Sequence, residues 1–248
     1  MGTFKQYDER WFEKNKNASY TSGLVIAPLV LDFLLPQKVQ SAIDVGCGAG
    51  GWLAAFQENG VETICGVDGQ WVPTSQLLIP RECFEPIDLE KHLALNKKAD
   101  IAICMEVAEH LPHESARSFI KGLTAIAPVI LFSAAIPHQG GNNHVNEQWP
   151  EYWALFFKEN GYIPIDCLRR KVWTDERVAY YYAQNAFLYV RKDTLHVYPK
   201  LEKEFLDGNA TTLPLVHPYK FLSLFNPKPP FLSRVFWRLR MLLKHYGL

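Results

Sequence analysis

A glycine-rich turn between an apolar strand and an apolar helix constrains this chain more than any other feature of its sequence. Residues 42–45 read Ala-Ile-Asp-Val and lead into Gly46, Gly48 and Gly50, after which residues 52–56 read Trp-Leu-Ala-Ala-Phe. Glycines allow a sharp turn with positive φ and leave no Cβ between the chain and a ligand. The helix behind them presents unpaired N–H groups and a partial positive charge. The segment therefore predicts a strand–turn–helix unit that binds a ligand across the turn.

The pattern around this turn predicts an α/β fold with a seven-stranded, mostly parallel, doubly wound sheet. Short apolar runs alternate with helical patterns, which is typical of a parallel sheet covered on both faces. The predicted strands are 41–45, 63–67, 81–86, 100–105, 129–133, 162–167 and 186–191, and the predicted helices are 23–35, 52–59, 114–127 and 149–160.

We predict one domain with two extensions in the 248 residues. The domain covers residues 1–192, and its first 22 residues form a polar and aromatic N-terminal arm that packs on the surface or closes as a lid. Residues 193–248 form a C-terminal helical extension. Within it, residues 231–246 carry apolar side chains at helical spacing with Lys and Arg between them. Such a helix predicts docking on the same domain or in a homodimer, or peripheral contact with an anionic membrane face.

Charge and cysteine content exclude several classes of protein. Lys+Arg and Asp+Glu are each 26, and this zero net charge argues against a protein whose main task is to clamp nucleic acid. The five cysteines form no CxxC pair, which favours buried thiols in a reducing compartment over zinc or redox sites. We expect no signal peptide and no apolar run of 18 residues. The expected location is cytoplasmic, with the inner membrane face as the place of any peripheral contact.

Acidic residues at strand ends distinguish between two cofactors that use such a turn. The spacing Gly46-x-Gly48-x-x-Gly51 also fits a dinucleotide fingerprint. Asp44 precedes it by two residues, where a carboxylate would repel a pyrophosphate but attract a sulfonium and an ammonium group. Asp68 ends the second strand, where it suits the ribose hydroxyls of either cofactor. Asp44 therefore favours S-adenosylmethionine (SAM) over a nicotinamide cofactor.

The segment after the fourth strand carries a family resemblance. Its sequence, Met105-Glu106-Val107-Ala108-Glu109-His110-Leu111-Pro112, resembles the E-V-x-E-H segment of class I SAM-dependent methyltransferases, including the ubiquinone-biosynthesis and sugar-modifying branches. The glycine turn, as Asp44-x-Gly46-x-Gly48-x-Gly50, resembles motif I of the same family. Together with the acidic end of the second strand, the resemblance covers residues 41–134.

This resemblance implies a SAM site at the ends of the first four strands. In chain order, the residues would contact the amino-acid half of SAM, its ribose, its adenine and the region under the methyl group. They are Asp44, Gly46, Cys47, Gly48 and Gly50, then Asp68 and Gly69, then Asp88 and Leu89, and finally Met105 and Glu106. Trp71 departs from the family pattern, and it either covers the adenine or packs on its own loop.

The loop after the fifth strand, residues 134–149, predicts an acceptor with many polar groups because it is rich in hydrogen-bonding side chains and glycines. His144 can accept a proton near neutral pH and is the predicted general base. His138 and Asn143 are predicted to bind the acceptor. With Glu147 these residues could also hold a divalent metal, but they lack a fixed ligand spacing, so no metal is predicted.

A second resemblance concerns the acceptor. The string His144-Val145-Asn146-Glu147, followed by Tyr182-Ala183-Gln184-Asn185, is similar to methyltransferases encoded with glycan-assembly enzymes. It implies that Tyr182, Gln184 and Asn185 face the pocket, although they could simply lead into the last strand. We expect an O-methyltransferase acting on a sugar, glycan or lipid-linked glycan and releasing S-adenosylhomocysteine. The alternatives are a methyltransferase for a small aromatic or carboxylate metabolite, and a non-catalytic SAM-binding protein.

Overall fold

A seven-stranded sheet forms the centre of the part of the chain that the structure describes. The structure is a computed structural model that describes residues 9–91 and 93–225, with side chains from residue 17 onward. The strands are β1 (Ser41–Val45), β2 (Thr63–Asp68), β3 (Phe84–Pro86), β4 (Ile101–Met105), β5 (Val129–Ser133), β6 (Tyr162–Ile165) and β7 (Phe187–Arg191).

Helices cover both faces of this sheet. Within the described ranges, the helices of the first compact unit are α1 (Glu9–Leu34), α2 (Gly51–Glu58), α3 (Ala116–Thr124), α4 (Pro150–Glu159), α5 (Arg169–Val172), α6 (Tyr180–Asn185) and α7 (Pro199–Glu204). Helix α8 (Pro218–Phe225) belongs to a second unit. Single 3₁₀ turns occupy Thr74–Gln76, Arg81–Cys83, Ala108–His110 and His113–Ser115, and a longer one occupies Lys192–Val197.

The strand order is β3-β2-β1-β4-β5-β7-β6, which confirms the predicted doubly wound sheet. The first five strands pair in parallel, whereas β7 is antiparallel to both β5 and β6. The chain reverses its winding direction between β1 and β4, and ligands bind beyond the carboxyl ends of the strands at such a switch point. The ends of β1, β2, β4 and β5 therefore define the edge where a site is expected.

Alternate side chains of each central strand enter two separate apolar cores. In β4, Ile101 and Ile103 belong to one core, which α1 and α2 cover. Ala102 and Cys104 belong to the other core, which α3 and α4 cover. Because both faces are covered, every side chain of β4 is buried, and this is why the strand reads as a continuous apolar run.

The N-terminal region differs from its prediction. The sequence predicted an arm over 1–22 and a helix over 23–35, but one helix runs through Glu9–Leu34. The described segment before Gly23 contains neither glycine nor proline, so nothing in it stops the helix. A Cβ at Gly23 would lie 2.8 Å from the Cβ of Ala55, so this glycine allows α1 to pack closely on α2.

The same helix overturns the expectation that no apolar run is long enough to span a membrane. Asn17–Leu34 passes that test by length and composition, with a mean hydropathy of 1.2. The protein buries 39% of this window, including Ile26, Val30 and Leu34 in the core beneath the sheet. Core packing thus accounts for part of the apolar character of the helix.

The first compact unit extends past the predicted domain boundary at residue 192 to Leu215. Leu195, Tyr198 and Leu201 are buried in the same core as α1, so the turn after β7 and helix α7 still contribute to it. A second unit begins at Val216 and contains α8. The predicted amphipathic helix, residues 231–246, lies outside the described residues, so its membrane or dimer contact stays a prediction.

Candidate active site

The glycine turn after β1 takes up the left-handed backbone that its sequence predicts. Gly46, Gly48 and Gly50 have φ values of 81°, 52° and 81°. Residues with a Cβ rarely adopt this conformation, which explains three glycines in five positions. The N–H groups of Gly46 and Cys47 donate to the carbonyl oxygen of Val67, at 2.8 and 3.1 Å. The turn is therefore fixed against the end of β2.

The three glycines face different surroundings. A Cβ at Gly46 would lie 2.4 Å from Cγ2 of Val107, and one at Gly50 would lie 2.8 Å from Cγ1 of Ile79. A Cβ at Gly48 would meet no described atom within 4 Å. Gly46 and Gly50 thus allow close packing inside the protein, and Gly48 is the glycine at which the backbone borders open space.

Two buried aspartates adjoin this turn. The carboxylate of Asp68 accepts hydrogen bonds from the N–H groups of Gly48 and Gly69, at 2.7 and 2.6 Å. Asp44 is 1% exposed, and its Oδ2 atom has no hydrogen-bond partner among the described residues.

The surroundings of both aspartates favour a positive ligand. Burial and the negative charge of Asp68 raise the pKa of Asp44 well above its usual value. The pKa of Asp68 is also raised. Burial raises it, and the hydrogen bonds from the N–H groups of Gly48 and Gly69 offset part of that rise. Leaving a buried polar atom unpaired is costly, so a group that brings donors and positive charge would be stabilised beside Asp44.

The remaining residues predicted to bind the cofactor lie around the same sheet edge. Cys47 and Met105 are buried at the ends of β1 and β4, and Leu89 is buried in the core that α3 and α4 cover. Asp88 is exposed, where its Oδ1 accepts the N–H of Glu90 at 3.2 Å and its Oδ2 lies 3.1 Å from Nζ of Lys91.

Trp71 packs on its own loop. A Cβ at Gly69 would lie 2.2 Å from the indole ring, so the ring rests directly on the glycine next to Asp68. This contact accounts for glycine at position 69, where φ does not require one. Of the two interpretations of Trp71 offered by the sequence, the contact agrees with packing on the loop.

Beyond β4, a network of side-chain amides holds Glu106. Its carboxylate accepts hydrogen bonds from Nε2 of Gln139 at 2.6 Å and from Nδ2 of Asn185 at 3.0 Å. The carbonyl oxygen of the Gln139 side chain accepts from Asn185 and Gln184, at 2.9 and 3.1 Å. Glu106 itself has a φ of 56°, and its N–H donates to the carbonyl oxygen of Ser133 at 3.0 Å.

The antiparallel direction of β7 assembles this network. Phe187 pairs with Phe132, so the residues before β7 lie at the carboxyl end of β5. Gln184 and Asn185 are only 1% and 3% exposed. They end helix α6 and bond to the network, and their contact with an acceptor stays a prediction of the resemblance.

Tyr182, the third residue of that prediction, is not part of the network. It is buried in the core, where its ring meets Trp52 edge-on at a centroid distance of 5.0 Å. Trp52 lies in the first turn of α2, directly after the glycines. Tyr182 therefore packs behind the glycine turn.

The polar loop after β5 holds His144 in a fixed orientation. Nδ1 of His144 lies 2.9 Å from Oε1 of Glu147, which also accepts the N–H of Gly140 at 2.6 Å. A Cβ at Gly141 would lie only 2.1 Å from Nε2 of His144, so the ring rests on that glycine. Since a carboxylate accepts from Nδ1, we assign the proton to Nδ1 and the lone pair to Nε2.

A second histidine packs against the first. The rings of His110 and His144 meet edge-on, with centroids 4.8 Å apart. Nδ1 of His110 lies 3.3 Å from the backbone carbonyl oxygen of Asn143, so the same argument leaves the Nε2 lone pair of His110 unprotonated. Burial and the neighbouring His144 lower the pKa of His110 to about 4, which keeps its ring neutral at pH 7.

Glu109 completes this group. It is 0% exposed, and neither carboxylate oxygen makes a well-formed hydrogen bond with another described residue. Burial and the negative charge of Glu106 raise its pKa well above the usual value, and the N–H groups of Glu109 and Ala135 offset only part of that effect. One ligand atom from each of Glu109, His110 and His144 lies within 4.8 Å of the others. We call these three residues the His–Glu cluster.

Sequence reasoning identified some of this arrangement and missed the rest. His138 and Asn143 are exposed with φ values of 64° and 58°, and Asn143 contributes its backbone carbonyl to His110. The sequence alone indicates no role for Gln139, which joins Glu106 to α6. Glu109 stands out in the sequence only as part of the E-V-x-E-H motif, and its spacing from Glu106 is the signal that could mark it.

Comparison with known proteins gives the family. The sequence profile of the family described as "Methyltransferase domain" matches residues 19–166, which is more than half of the chain. No curated protein matches the sequence significantly.

Solved structures with the same fold are distant in sequence. The magnesium protoporphyrin IX methyltransferase of Synechocystis PCC 6803, with bound S-adenosylhomocysteine, is 19% identical. The match covers 75% of this chain and 89% of that one, with a TM-score of 0.51. An amino pentose methyltransferase of Micromonospora echinaspora, with bound SAM, is 14% identical, and the match covers 75% of this chain and 98% of that one with a TM-score of 0.51.

Proposed function

This chain belongs to the methyltransferase-domain family, with SAM as its methyl donor, and we propose that the group it methylates is the hydroxyl of a sugar or glycan. The observation that carries the acceptor class is the polar loop over residues 134–149. It places imidazole, amide and carboxylate groups beside the carboxyl ends of β4 and β5. A hydroxylated acceptor can exchange hydrogen bonds with such groups.

The buried carboxylates support the SAM site. Oδ2 of Asp44 has no hydrogen-bond partner among the described residues, and the α-ammonium group of SAM would provide both donors and positive charge. Asp68, with Gly69 beside it, would accept from the ribose hydroxyls. Gly48 would leave room for the ligand, because a side chain there would extend into open space.

The rest of the donor site is assigned by the resemblance. Asp88 and Leu89 would flank the adenine, and Met105 and Glu106 would lie under the reactive methyl. SAM supplies a methyl carbon bonded to a positively charged sulfur, which makes that carbon an electrophile. The contribution of the protein is to align the acceptor with this carbon and to exclude water.

His144 is the residue that we assign to the acceptor hydroxyl. Its Nδ1 is engaged by Glu147, so Nε2 is the nitrogen that can accept the hydroxyl proton. The Glu147 carboxylate would stabilise the imidazolium that results. His138 and Asn143 are exposed in the same loop, where they could bond further hydroxyl groups of the acceptor.

The amide network would act indirectly. Gln139, Gln184 and Asn185 fix the Glu106 carboxylate, and Glu106 joins the donor side to the polar loop. A fully hydrogen-bonded buried network is rigid, so this network would hold the SAM site and the polar loop after β5 at a constant separation.

Ligand-dependent thermal unfolding tests the donor, and a methyl-transfer screen tests the acceptor. SAM and S-adenosylhomocysteine at 100 times their dissociation constants should each stabilise the protein by about 2.7 kcal/mol, and NADH should not. Transfer of a labelled methyl group is then measured to sugar nucleotides, lipid-linked glycans, catechols and carboxylic acids. Transfer to a sugar hydroxyl is the expected result. Transfer to catechols or carboxylic acids alone would replace the acceptor class, and stabilisation by NADH alone would overturn the donor site.

A further inference from the structure

We infer that the His–Glu cluster is a binding site for a divalent transition-metal cation. The inference rests on the proposed function and changes one part of it. It places an electrophilic centre where the acceptor hydroxyl would bind, and it makes His144 a metal ligand instead of the general base. It also revises the expectation that the site contains no metal.

The donor atoms are already close to the spacing that a cation requires. One ligand atom from each of Glu109, His110 and His144 lies within 4.8 Å of the others. Metal–nitrogen and metal–oxygen bonds of about 2.1 Å place neighbouring ligands about 3 to 4 Å apart. Side-chain movements on the order of an ångström would therefore bring all three to one centre.

The orientation of both rings is the one that metal-binding histidines show. Such a histidine binds through one nitrogen and donates a hydrogen bond from the other to a carboxylate or a carbonyl. Nδ1 of His144 faces the Glu147 carboxylate at 2.9 Å, and Nδ1 of His110 faces the Asn143 carbonyl at 3.3 Å. In both rings Nε2 keeps its lone pair for a ligand bond. The left-handed backbone of Asn143, with a φ of 58°, helps to present that carbonyl.

Glu109 supplies the independent observation. Its carboxylate is completely buried, and neither oxygen makes a well-formed hydrogen bond with another residue in the described part of the chain. The backbone carbonyl of Glu109 accepts the N–H groups of Val145 and Asn146, both at 3.0 Å, so the loop with His144 is tied directly to this residue. The N–H groups of Glu109 and Ala135 act on this carboxylate only weakly, and a cation would give it a strong partner at a buried position.

The donor set indicates the kind of cation. Two imidazole nitrogens and one carboxylate oxygen suit Mn²⁺, Fe²⁺, Co²⁺ or Zn²⁺, whereas Ca²⁺ and Mg²⁺ prefer sites made of oxygen atoms. Three protein ligands leave coordination positions open for an acceptor oxygen. A hydroxyl bound in such a position loses its proton to solvent water more readily than a free hydroxyl. His144 would then act as a ligand, since a coordinated Nε2 cannot accept a proton.

Cobalt binding tests this site without reference to activity. The full-length chain, without a polyhistidine tag and treated with a chelator, is titrated with Co²⁺ while the visible ligand-field absorption is recorded. The wild type and the variants Glu109→Gln, His110→Gln, His144→Gln and His196→Gln are compared. His196 is exposed on the 3₁₀ turn after β7 and serves as the matched control. Thermal stabilisation by SAM is measured for each protein, to show that it is folded and binds the donor.

We expect one equivalent of Co²⁺ to bind the wild type and the control with equal affinity. Loss of an outer-shell partner of a metal ligand weakens binding by about 10- to 100-fold, so loss of a ligand itself should weaken binding by more than this in each cluster variant, while stabilisation by SAM persists. A wild type that is stabilised by SAM but binds no Co²⁺ would overturn the metal site and leave the methyltransferase proposal intact. Unchanged Co²⁺ binding in all three cluster variants would also overturn it. A wild type that binds Co²⁺ without any stabilisation by SAM would instead count against the donor site.

Discussion

The glycine turn takes its geometry from one continuous stretch, residues 44–50, whereas the His–Glu cluster is assembled from two segments that the sheet brings together. In the turn, backbone N–H groups and positive φ values define the shape. In the cluster, side chains define it, and each ring is held by an acceptor from the loop after β5. The glycine turn follows β1, and Glu109 and His110 follow the neighbouring strand β4. Glu106 lies between the two regions in the sequence.

The difference shows which kind of site depends on distant parts of the fold. A site built from local backbone needs little more than its own residues and the strand beside it. A site built from side chains of several segments also needs the network that fixes them, here Gln139 from one loop and Asn185 from α6. Substitutions in the two regions should therefore separate donor binding from turnover.

Replacement of His144 by glutamine should have the largest effect. The ring either accepts the hydroxyl proton or holds the proposed cation, and glutamine does neither well, so turnover should fall by about 10²- to 10⁴-fold. The affinity for SAM should remain unchanged because the glycine turn does not involve this loop. Single-turnover methyl transfer and SAM binding by calorimetry measure the two quantities. An equal loss of SAM affinity would show that the two regions are not separable, and His196→Gln is the control.

Replacement of Arg169 by leucine should have the next largest effect, on stability. Arg169 is 1% exposed and forms two hydrogen bonds with Asp166, at 2.9 and 2.6 Å. It also donates to the carbonyl oxygens of Gln184 and Leu213. Leaving the Asp166 carboxylate buried without its partner should lower the free energy of unfolding by about 3 to 5 kcal/mol.

Urea unfolding measures this loss, and Arg177→Leu is its control. Arg177 pairs with Asp175 through the same two-pronged geometry, but its side chain is 69% exposed. Its urea midpoint should therefore match that of the wild type. If the urea midpoint of Arg169→Leu also equalled that of the wild type, the buried ion pair between Arg169 and Asp166 would not stabilise the fold around α6.

The sequence was sufficient to predict the strands and the turn because both patterns are local. An apolar run such as Ile101–Met105 can only be buried on both faces, and glycines before a helix imply left-handed turns. The start of α1 could not be predicted, because the polar residues before Gly23 lack a strong helical pattern.

The acceptor side was harder to predict because a strand pattern does not state direction. The apolar run of β7 reads the same whether the strand is parallel or antiparallel. Its antiparallel register is what brings Gln184 and Asn185 to Glu106. Without that register, these residues could only be assigned to a pocket by resemblance, and Gln139 could not be connected to anything.

Replacement of Asp68 by alanine should affect the donor side alone. The carboxylate fixes the N–H groups of Gly48 and Gly69 and is the proposed acceptor for the ribose hydroxyls. Hydrogen bonds to a charged group contribute about 1.5 to 3 kcal/mol, so the affinity for SAM should fall by about 10- to 100-fold. Calorimetric titration measures the change. Asp193→Ala, which removes an exposed partner of Arg191, is the control. Unchanged affinity in Asp68→Ala would contradict the proposed donor site.

A pair of glycine substitutions should give the smallest effects and the sharpest comparison. In Gly48→Ala, the new Cβ meets no described atom within 4 Å, but a left-handed alanine costs about 1 to 2 kcal/mol and its methyl group occupies the proposed ligand space. The affinity for SAM should therefore fall by about tenfold. In Gly141→Ala, φ lies outside the left-handed region, and the Cβ would lie 2.1 Å from Nε2 of His144. The ring must move, so turnover should fall by about tenfold while SAM affinity is retained.

The two substitutions add the same methyl group, so each is the control for the other. If the glycine turn and the loop after β5 act independently, Gly48→Ala lowers the affinity for SAM and Gly141→Ala lowers turnover. The double variant then shows the product of the two effects. If Gly141→Ala lowers SAM affinity as much as Gly48→Ala does, the loop after β5 must contribute to the donor site. The shared element would then be Glu106, because its N–H bonds to β5 while its carboxylate bonds to the amides of Gln139 and Asn185.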